Sequence, residues 1–263
     1  MKGNFGMNNK LFDSKRIAEG YKERPFLHKY VIDALQRDMN GKHFHNGLDV
    51  GCGAGLSTKA LKLICDKVSG TDISEEMVLV AREMCPEEEY TFFVSKAETI
   101  PNPEQLYDIV TAAGVVQWVE VGAFLENLKS TINKEGIVFI YDFWISDKMK
   151  ENAQYTDWYY QEYLKNFPKP PRNEHIWTDE IVSPYGFEMQ RQNILQLEYK
   201  FNKETFIKFM MLQSNVSIKI EGEGQNEKEI KTWFEDSLRN IFDSQEKVLF
   251  FDGYSWLLKR KFT

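Results

Sequence analysis

The chain has 263 residues, of which 42% are hydrophobic and 14% aromatic, enough for one large domain with a folded core. Its net charge of −7 disfavours a nucleic-acid-binding surface, because phosphate backbones are bound by clusters of Lys and Arg. No apolar run reaches the roughly 18 residues of a membrane span, and the polar start Met1-Lys2-Gly3-Asn4-Phe5 lacks the apolar core of a signal peptide.

The spacing of cysteines and histidines indicates the redox compartment and whether a metal site is expected. Cys52, Cys65 and Cys85 are scattered without a C-x-x-C pair, so reduced thiols and a cytoplasmic location are expected. His43 and His45 form one H-x-H pair with no cysteine nearby. We therefore expect a structural or surface role for this pair and no metal site.

The first half of the chain alternates predicted strands and helices. The amphipathic pattern of 18–36 predicts a helix entered around Pro25. Three further helices follow, one after the glycines that end at Gly55, one capped by Ser74 and one over 121–132. Strands are predicted at 47–50, 68–72, 90–94, 107–113 and 136–143. This alternation predicts a parallel sheet with helices on both faces.

After Phe143 the alternation breaks. The predicted elements are a tyrosine-rich helix over 148–164, a short helix over 177–182, a strand over 187–199, helices over 205–212 and 227–241, and a last strand over 247–259. The expected fold is α/β: a doubly wound, Rossmann-like, seven-stranded, mostly parallel sheet with the last strand antiparallel, plus helical lid insertions.

The most informative pattern is a glycine-rich turn followed by an acid. Gly51, Gly53 and Gly55 come directly after an apolar strand, and Asp72 ends the next strand 21 residues after Gly51. Glycines let backbone N–H groups approach a ligand without a Cβ between them. An acid at the end of the next strand can accept hydrogen bonds from both hydroxyls of a ribose. The glycine turn and the acid together therefore predict a nucleoside-cofactor site.

The spacing of the turn excludes two common cofactors. A dinucleotide-binding G-x-G-x-x-G turn would place its third glycine at Leu56. No Gly-Lys-Ser/Thr follows either, so a phosphate-binding P-loop is absent.

The segment Asp49-Val50-Gly51-Cys52-Gly53-Ala54-Gly55 resembles the D-x-G-x-G-x-G signature of class I S-adenosylmethionine (SAM)-dependent methyltransferases. The closest resemblance is to the small-molecule group of methyltransferase type 11, with its ubiquinone/menaquinone-type and trans-aconitate-type enzymes. It covers roughly Tyr21 to Phe143. Further matches follow in the family's order: Tyr21 with Arg24-Pro25, Asp72-Ile73-Ser74-x-x-Met77, Lys96-Ala97-Glu98-x-Ile100-Pro101, Tyr107-Asp108-Ile109-Val110, and Gln117-Trp118.

The resemblance implies SAM as cofactor and S-adenosylhomocysteine (SAH) as product. It implies that Asp72 binds the ribose. It also implies that Asp49 orders the glycine turn and holds the methionine ammonium, directly or through water. The implied cofactor-binding residues are Tyr21, Asp49, Gly51, Cys52, Gly53, Gly55, Asp72, Ile73, Met77, Ala97, Glu98 and Ala113.

Two residues depart from the family's pattern. Lys96 stands where relatives usually carry an acid that pairs with the adenine amino group, and a cation cannot accept that hydrogen bond. Backbone groups around Ala97 are expected to recognise adenine instead. Gln117 replaces a frequent histidine, so a general-base role does not transfer, and no catalytic residue is predicted.

The acceptor side is predicted from position. Arg24, Gln117, Trp118 and Trp144 are the candidate substrate residues, because ligands bind beyond the carboxyl ends of parallel strands. Tyr155, Trp158, Tyr159 and Tyr163 follow helical spacing and are expected to pack in the core. The tyrosines and tryptophans near this edge favour an aromatic or apolar acceptor, whereas Arg24 or Arg172 would suit a carboxylate.

The whole chain, 1–263, is expected to form one methyltransferase domain. Its predicted parts are cofactor-covering helices over 1–40, a cofactor-binding core over 41–143, lid and substrate-side insertions with strand six over 144–246, and the final strand over 247–263. The expected reaction is in-line methyl transfer to a small-molecule acceptor, which chiefly requires positioning and exclusion of water. The O-, N-, S- or carboxyl-directed type of acceptor and the oligomeric state stay open.

Three alternatives belong to other classes. A non-catalytic SAM-binding protein would agree with the departures at Lys96 and Gln117. An RNA or DNA methyltransferase is disfavoured by the acidic charge and by the lack of an Asn/Asp-Pro-Pro-Tyr motif. A nicotinamide-dependent dehydrogenase is disfavoured by Leu56.

Overall fold

The computed structural model describes residues 13–101, 104–170, 177–243 and 245–261. The chain divides into two compact units. Unit 1 consists of Met1–Pro25, Trp144–Pro171 and Gln196–Asp252. Unit 2 consists of Phe26–Phe143, Arg172–Leu195 and Gly253–Thr263. The cofactor-binding core predicted for 41–143 therefore falls within unit 2.

Seven strands form one sheet in the order β3-β2-β1-β4-β5-β7-β6. The strands are β1 (Phe44–Val50), β2 (Cys65–Asp72), β3 (Tyr90–Val94), β4 (Tyr107–Ala113), β5 (Ile132–Met149), β6 (Phe187–Phe201) and β7 (Lys247–Arg260).

Helices connect the strands of unit 2 and make up most of unit 1. The α-helices are α1 (Lys15–Tyr21), α2 (His28–Asp38), α3 (Leu56–Lys62), α4 (Glu75–Met84), α5 (Val121–Thr131), α6 (Gln154–Trp158), α7 (Leu164–Asn166), α8 (Asp179–Val182), α9 (Lys203–Met211), α10 (Ser214–Ser217), α11 (Glu227–Ser237) and α12 (Arg239–Phe242). Short 3-10 helices cover Ala97–Thr99 and Ser183–Tyr185, and π-helical turns cover Tyr159–Tyr163 and Ile218–Gly222.

Strand directions confirm the predicted sheet. The pairs β1–β2, β1–β4, β2–β3 and β4–β5 are parallel. Two hydrogen bonds give the direction of β7. The Lys150 N–H, after the end of β5, donates to Val248 O near the start of β7, and the Lys261 N–H, after the end of β7, donates to Gly186 O before the start of β6. β7 is thus antiparallel to both β5 and β6, so six strands are parallel and the last one in the chain runs against them.

The core of unit 2 lies on both faces of its sheet. Leu48, Val110 and Val138, on three adjacent strands, are fully buried together with Phe124 and Leu128 of α5. A parallel sheet covered by helices on both faces requires apolar strands of this kind. The carboxyl ends of these strands are consequently the part of the sheet available to a ligand.

Helix α4 shows how local sequence fixes an element beside the site. The Ser74 hydroxyl caps it by accepting a hydrogen bond from the Met77 N–H at 3.3 Å. Glu75 and Glu76 lie in the first turn, where the helix dipole stabilises negative charge. The helix ends at Met84, before Pro86. The predicted cap and boundaries are confirmed.

The core of unit 1 is aromatic. Trp158 stacks on Tyr163 with ring centroids 5.5 Å apart, and Phe167 stacks on Phe234 at 5.4 Å. The Tyr163 hydroxyl donates to Asn215 Oδ1 at 3.0 Å, so the polar tip of this buried ring is satisfied. Tyr155, Trp158, Tyr159 and Tyr163 are at most 3% exposed, which confirms the core role predicted for them.

Several predicted boundaries were wrong. The helix predicted over 18–36 is two helices, α1 and α2, separated by the segment that contains Pro25, because proline disfavours helical geometry in the residue before it. β5 continues to Met149, well past the predicted Phe143, and the helix predicted from Lys148 starts only at Gln154. The helix predicted over 227–241 is divided into α11 and α12.

Within the described ranges, no helix combines the length and the apolar character needed to cross a bilayer.

We expect Gly253→Ala to destabilise the protein by about 1–3 kcal/mol. A Cβ at Gly253 would overlap the carbonyl oxygen of Asp142 and lie 3.0 Å from Phe143 Cα, and a neighbouring strand's backbone cannot swing away. Gly222→Ala is the control, because its Cβ would meet nothing closer than Ile218 Cγ2 at 3.8 Å. Urea unfolding of both variants measures the difference; equal midpoints would contradict the close packing of β7 on β5.

Candidate functional site

The turn between β1 and α3 depends on left-handed backbone. Gly51, Gly53 and Gly55 have φ of 66°, 52° and 93°, values that only glycine adopts at little cost. A Cβ at Gly51 would also clash with Val115 Cγ2, in the turn after β4. The Cys52 N–H donates to Thr71 O at 2.9 Å, which fixes the turn to β2. Backbone, and not side chains, therefore forms the surface at the end of β1.

Asp49 supports this turn from inside the protein. Its carboxylate is fully buried and accepts hydrogen bonds from the hydroxyls of Ser57 at 2.6 Å, Thr58 at 2.8 Å and Thr111 at 2.8 Å. Burial raises the pKa of Asp49 to about 6, although the three hydroxyls act in the opposite direction. The carboxylate thereby connects β1 to the start of α3 and to β4.

The Asp49 side chain has no exposed surface in this conformation. Its contact with the methionine ammonium, directly or through water, stays a prediction. The other predicted role, ordering the glycine turn, agrees with its three hydroxyl partners.

Asp72 lies beside the turn at the carboxyl end of β2. Its Oδ2 accepts a hydrogen bond from the Gly53 N–H at 2.9 Å, and its Oδ1 accepts one from the Ser74 N–H at 2.9 Å. The acid and the glycine turn, 19 residues apart in the sequence, thus form one surface. A carboxylate offers about four acceptor positions, and two backbone donors orient this one.

An apolar surface lies next to Asp72. Ile73 is 43% exposed and Val94, at the end of β3, is 52% exposed. The loop after β3 is fixed here by the Ser95 N–H, which donates to Asp72 O at 2.8 Å. Exposed aliphatic side chains beside an acid suit the flat face of a nucleobase.

Three other predicted cofactor residues contribute less side-chain surface. Met77 is 2% exposed and Ala97 is 9% exposed. The Glu98 carboxylate accepts a hydrogen bond from the Glu120 N–H at 2.9 Å, and so fixes the loop before α5. Contacts from Met77 and Ala97 to a ligand would come mainly from their backbone.

Cys52 belongs to the turn through its backbone only. Its side chain packs in a buried cluster with Val78, Ala81, Cys85 and Phe92. Burial, followed by the nearby Asp72 and Asp49 carboxylates, raises the pKa of its thiol well above the ordinary value. A thiol kept protonated is a poor nucleophile, so the Cys52 side chain serves packing.

Gln117, in the turn after β4, meets a residue of β5 that the sequence analysis missed. The Gln117 amide donates to the carboxylate of Asp142. Asp142 Oδ1 also accepts a hydrogen bond from the Phe143 N–H at 2.8 Å. A signal was present, because Asp142 is the one charged residue in the apolar run 137–145. Ala113 and Trp118 lie in the same region, the latter half-buried.

His28 was also missed. Its Nδ1 lies 2.9 Å from the Tyr141 hydroxyl, and its ring is 4.9 Å from that of Phe143. His28 opens α2, whereas Tyr141 is buried in β5. No local pattern marks a contact between residues 113 positions apart.

The remaining predicted residues belong to unit 1 or lie outside the described residues. The Arg24 guanidinium lies over the rings of Tyr21 at 4.5 Å and Phe209 at 5.1 Å. Trp144 is 40% exposed. Arg172 lies outside the described residues. The ligand contacts proposed for Tyr21, Arg24 and Trp144 stay predictions.

Comparison with known proteins decides the kind of site. Residues 48–140, which run from β1 into β5, match the family model described as "Methyltransferase domain". Residues 48–140 form a methyltransferase domain. Together with the signature at Asp49–Gly55, the match places this domain in the SAM-dependent class I.

Curated relatives are similar to part of the chain. The chain is 31% identical to malonyl-[acyl-carrier protein] O-methyltransferase 1 of Ilyobacter polytropus, over 42% of this chain and 45% of the relative. It is 25% identical to the mitochondrial ubiquinone biosynthesis O-methyltransferase of Saccharomyces cerevisiae, over 50% of this chain and 46% of the relative. The chain thus spans about half the length of these relatives.

A solved structure shows that the fold extends beyond the methyltransferase domain. A candidate type II methyltransferase from Anaeromyxobacter dehalogenans superimposes with a TM-score of 0.61, covering 87% of this chain and 94% of that chain. The identity is 18%, so this likeness concerns the fold alone.

The raised pKa of Asp49 predicts a pH-dependent stability difference between the wild type and Asp49→Asn. The folded protein holds the Asp49 proton more tightly than the unfolded chain does, so this stabilising effect is complete below pH 3.8 and is lost as the pH rises through about 6. At pH 7 the buried charge costs up to about 3 kcal/mol. Asparagine carries no such cost, so the stability of Asp49→Asn relative to wild type is expected to improve from pH 4 to pH 7.

Urea unfolding of both proteins at pH 4, 5, 6 and 7 measures this difference. The denaturant slope is the control, because equal slopes show that both proteins unfold in the same way. A stability difference that stays constant across the range would contradict the raised pKa.

Proposed function

We propose that this protein transfers a methyl group from SAM to a small-molecule acceptor. The observation that carries the proposal is the contact between Asp72 and the glycine turn, with the Gly53 N–H on Asp72 Oδ2 at 2.9 Å. It joins a diol-binding carboxylate to an exposed backbone surface inside the matched domain.

The residues present fit an adenosyl group. Asp72 offers carboxylate oxygens to the two ribose hydroxyls, and Ile73 with Val94 offers an exposed apolar surface to adenine. The turn at Gly51–Gly55 provides a backbone surface that a Cβ at Gly51 would disrupt. Lys96 is exposed, so backbone groups near Ala97 would recognise the adenine edge.

When bound, SAM supplies a methyl group on a sulfonium that is already activated for departure. The protein's residues then have to bind, orient and exclude water. Asp49 and its three hydroxyl partners keep the turn rigid. An acceptor would lie near Gly114 and Gln117, which follow β4, and near Asp142, which lies beside them on β5.

The finer points of the proposal have separate support. A small-molecule acceptor is supported by the O-methyltransferase relatives and by the net charge of −7, which does not favour RNA or DNA. A reducing compartment such as the cytoplasm is supported by the free thiols of Cys52, Cys65 and Cys85.

Calorimetric titration tests the cofactor directly. We expect SAH and SAM to bind the full chain and NADH not to bind. We expect Asp72→Ala to weaken SAH binding at least tenfold, because the ribose hydroxyls lose their acceptor, and Asp72→Asn to weaken it less. Far-UV circular dichroism confirms that each variant is folded.

Asp66→Asn is the matched control for these variants. Asp66 lies near the start of β2, at the opposite edge of the sheet, where it hydrogen-bonds His43 and His45. SAH affinity unchanged in Asp72→Ala would refute the role of Asp72, and absence of SAM and SAH binding to the wild type would refute the proposed function.

A further inference from the structure

A cleft lies in unit 2 between α2 and the strands β5, β7 and β6. It encloses about 340 Å³, its open mouth included, and the described residues that line it all belong to unit 2. In the sheet order, β7 is the third strand from β1. Neighbouring strands lie about 4.8 Å apart, so β7 is about 14 Å from β1. The cleft is therefore separate from the surface proposed for the cofactor.

The floor of the cleft is apolar. Val31 and Leu35 of α2 and Phe139 of β5 are at most 5% exposed. Leu195 of β6 and Leu257 of β7 are half-buried and complete the apolar lining. A volume of this size equals the share of about ten water molecules in the liquid. The cleft thus suits the apolar body of a small molecule with about six to ten non-hydrogen atoms.

Ser255 adds a hydroxyl to the wall of this cleft. The residue lies on β7 and is 3% exposed. Within 13–101, 104–170, 177–243 and 245–261, no side chain or backbone group forms a hydrogen bond with its hydroxyl. A hydroxyl that is buried without a partner loses its hydrogen bonds to water on folding. An oxygen atom of a ligand in the cleft would restore one of them.

The charges beside the cleft compensate each other. Arg191 of β6 forms an ion pair with Asp38, the last residue of α2, and both residues line the cleft. A ligand carboxylate here would be attracted by Arg191 and repelled by Asp38, and an ammonium group would experience the reverse. Either charged group would also lose water on entering an apolar cleft, without a counter-charge of its own. The cleft therefore favours an uncharged ligand.

We propose that this cleft binds an uncharged, mainly apolar small molecule that carries one hydroxyl or carbonyl oxygen, and that the oxygen pairs with the Ser255 hydroxyl. Medium-chain alcohols and simple phenols belong to this class. The inference does not rest on the proposed function, because no residue that lines the cleft belongs to the surface proposed for SAM.

The first test compares probes of one size and different charge on the full chain. Hexan-1-ol, hexanoate and hexylamine are titrated at pH 7 into protein with labelled leucine and valine methyl groups, and NMR follows Leu35 and Leu257. We expect hexan-1-ol to shift these signals saturably and to bind at least tenfold more tightly than the two charged probes. No saturable shift with hexan-1-ol, or equal affinities for the three probes, would overturn the proposal.

The second test assigns the oxygen contact to Ser255. p-Cresol and toluene share an aromatic body, but only p-cresol carries a hydroxyl. Ser255→Ala should lower p-cresol affinity about three- to tenfold and leave toluene affinity within twofold. Ser130→Ala removes an exposed hydroxyl of α5 and, as the matched control, should change neither affinity. An equal effect of Ser255→Ala on both probes would refute the hydrogen bond.

The third test concerns the ion pair. Asp38→Asn removes the counter-charge of Arg191 and should raise hexanoate affinity at least threefold, with hexan-1-ol affinity within twofold of wild type. Unchanged hexanoate affinity would refute the role of the paired charges. Equal urea midpoints of the variants and the wild type show that each variant is folded.

The last test fills the cleft. Ala34 is half-buried on α2 and lines the cleft, so Ala34→Met should abolish hexan-1-ol binding. Full binding by this variant would place the probe elsewhere and overturn the proposal. Sedimentation of the wild type adds a further check, since a dimer that hexan-1-ol dissociates would show that a second copy of the chain, and not a small molecule, occupies the cleft.

Discussion

The site depends on the left-handed turn that joins β1 to α3. Gly51, Gly53 and Gly55 all have positive φ, and side chains at these positions would strain the backbone or collide with the turn after β4. The buried carboxylate of Asp49 stabilises the same turn from below, through hydroxyls on α3 and β4. In this turn the Gly53 N–H donates a hydrogen bond to Asp72 of the next strand.

Local patterns predicted the part of the fold that is determined by short-range interactions. β3 and β4 were predicted with the observed boundaries, and α4 with its Ser74 cap, since apolar alternation and capping residues lie within each element. The glycine turn and Asp72 were predicted together because strand order places their ends side by side. The resemblance to class I methyltransferases added the cofactor, which strand and turn patterns alone left undefined.

What the sequence could not predict depends on contacts between distant segments. β5 extends to Met149, where its backbone pairs with β7. No sequence pattern within 144–149 predicts this pairing. The hydroxyls that donate hydrogen bonds to Asp49 come from α3 and β4, so its complete burial could not be predicted from its place in the signature. Asp142 had a signal, a lone charge in an apolar strand, but Gln117 became its partner only through the fold.

The central claim is that the cofactor binds on the turn after β1 and beside Asp72. Hydrogen–deuterium exchange with and without SAH tests this claim most directly. The account predicts slower exchange on SAH addition in 51–56 and 72–77, and unchanged exchange at 43–46, at the opposite edge of the sheet. SAH binding that leaves 51–56 unprotected, or that protects the opposite edge instead, would contradict the account.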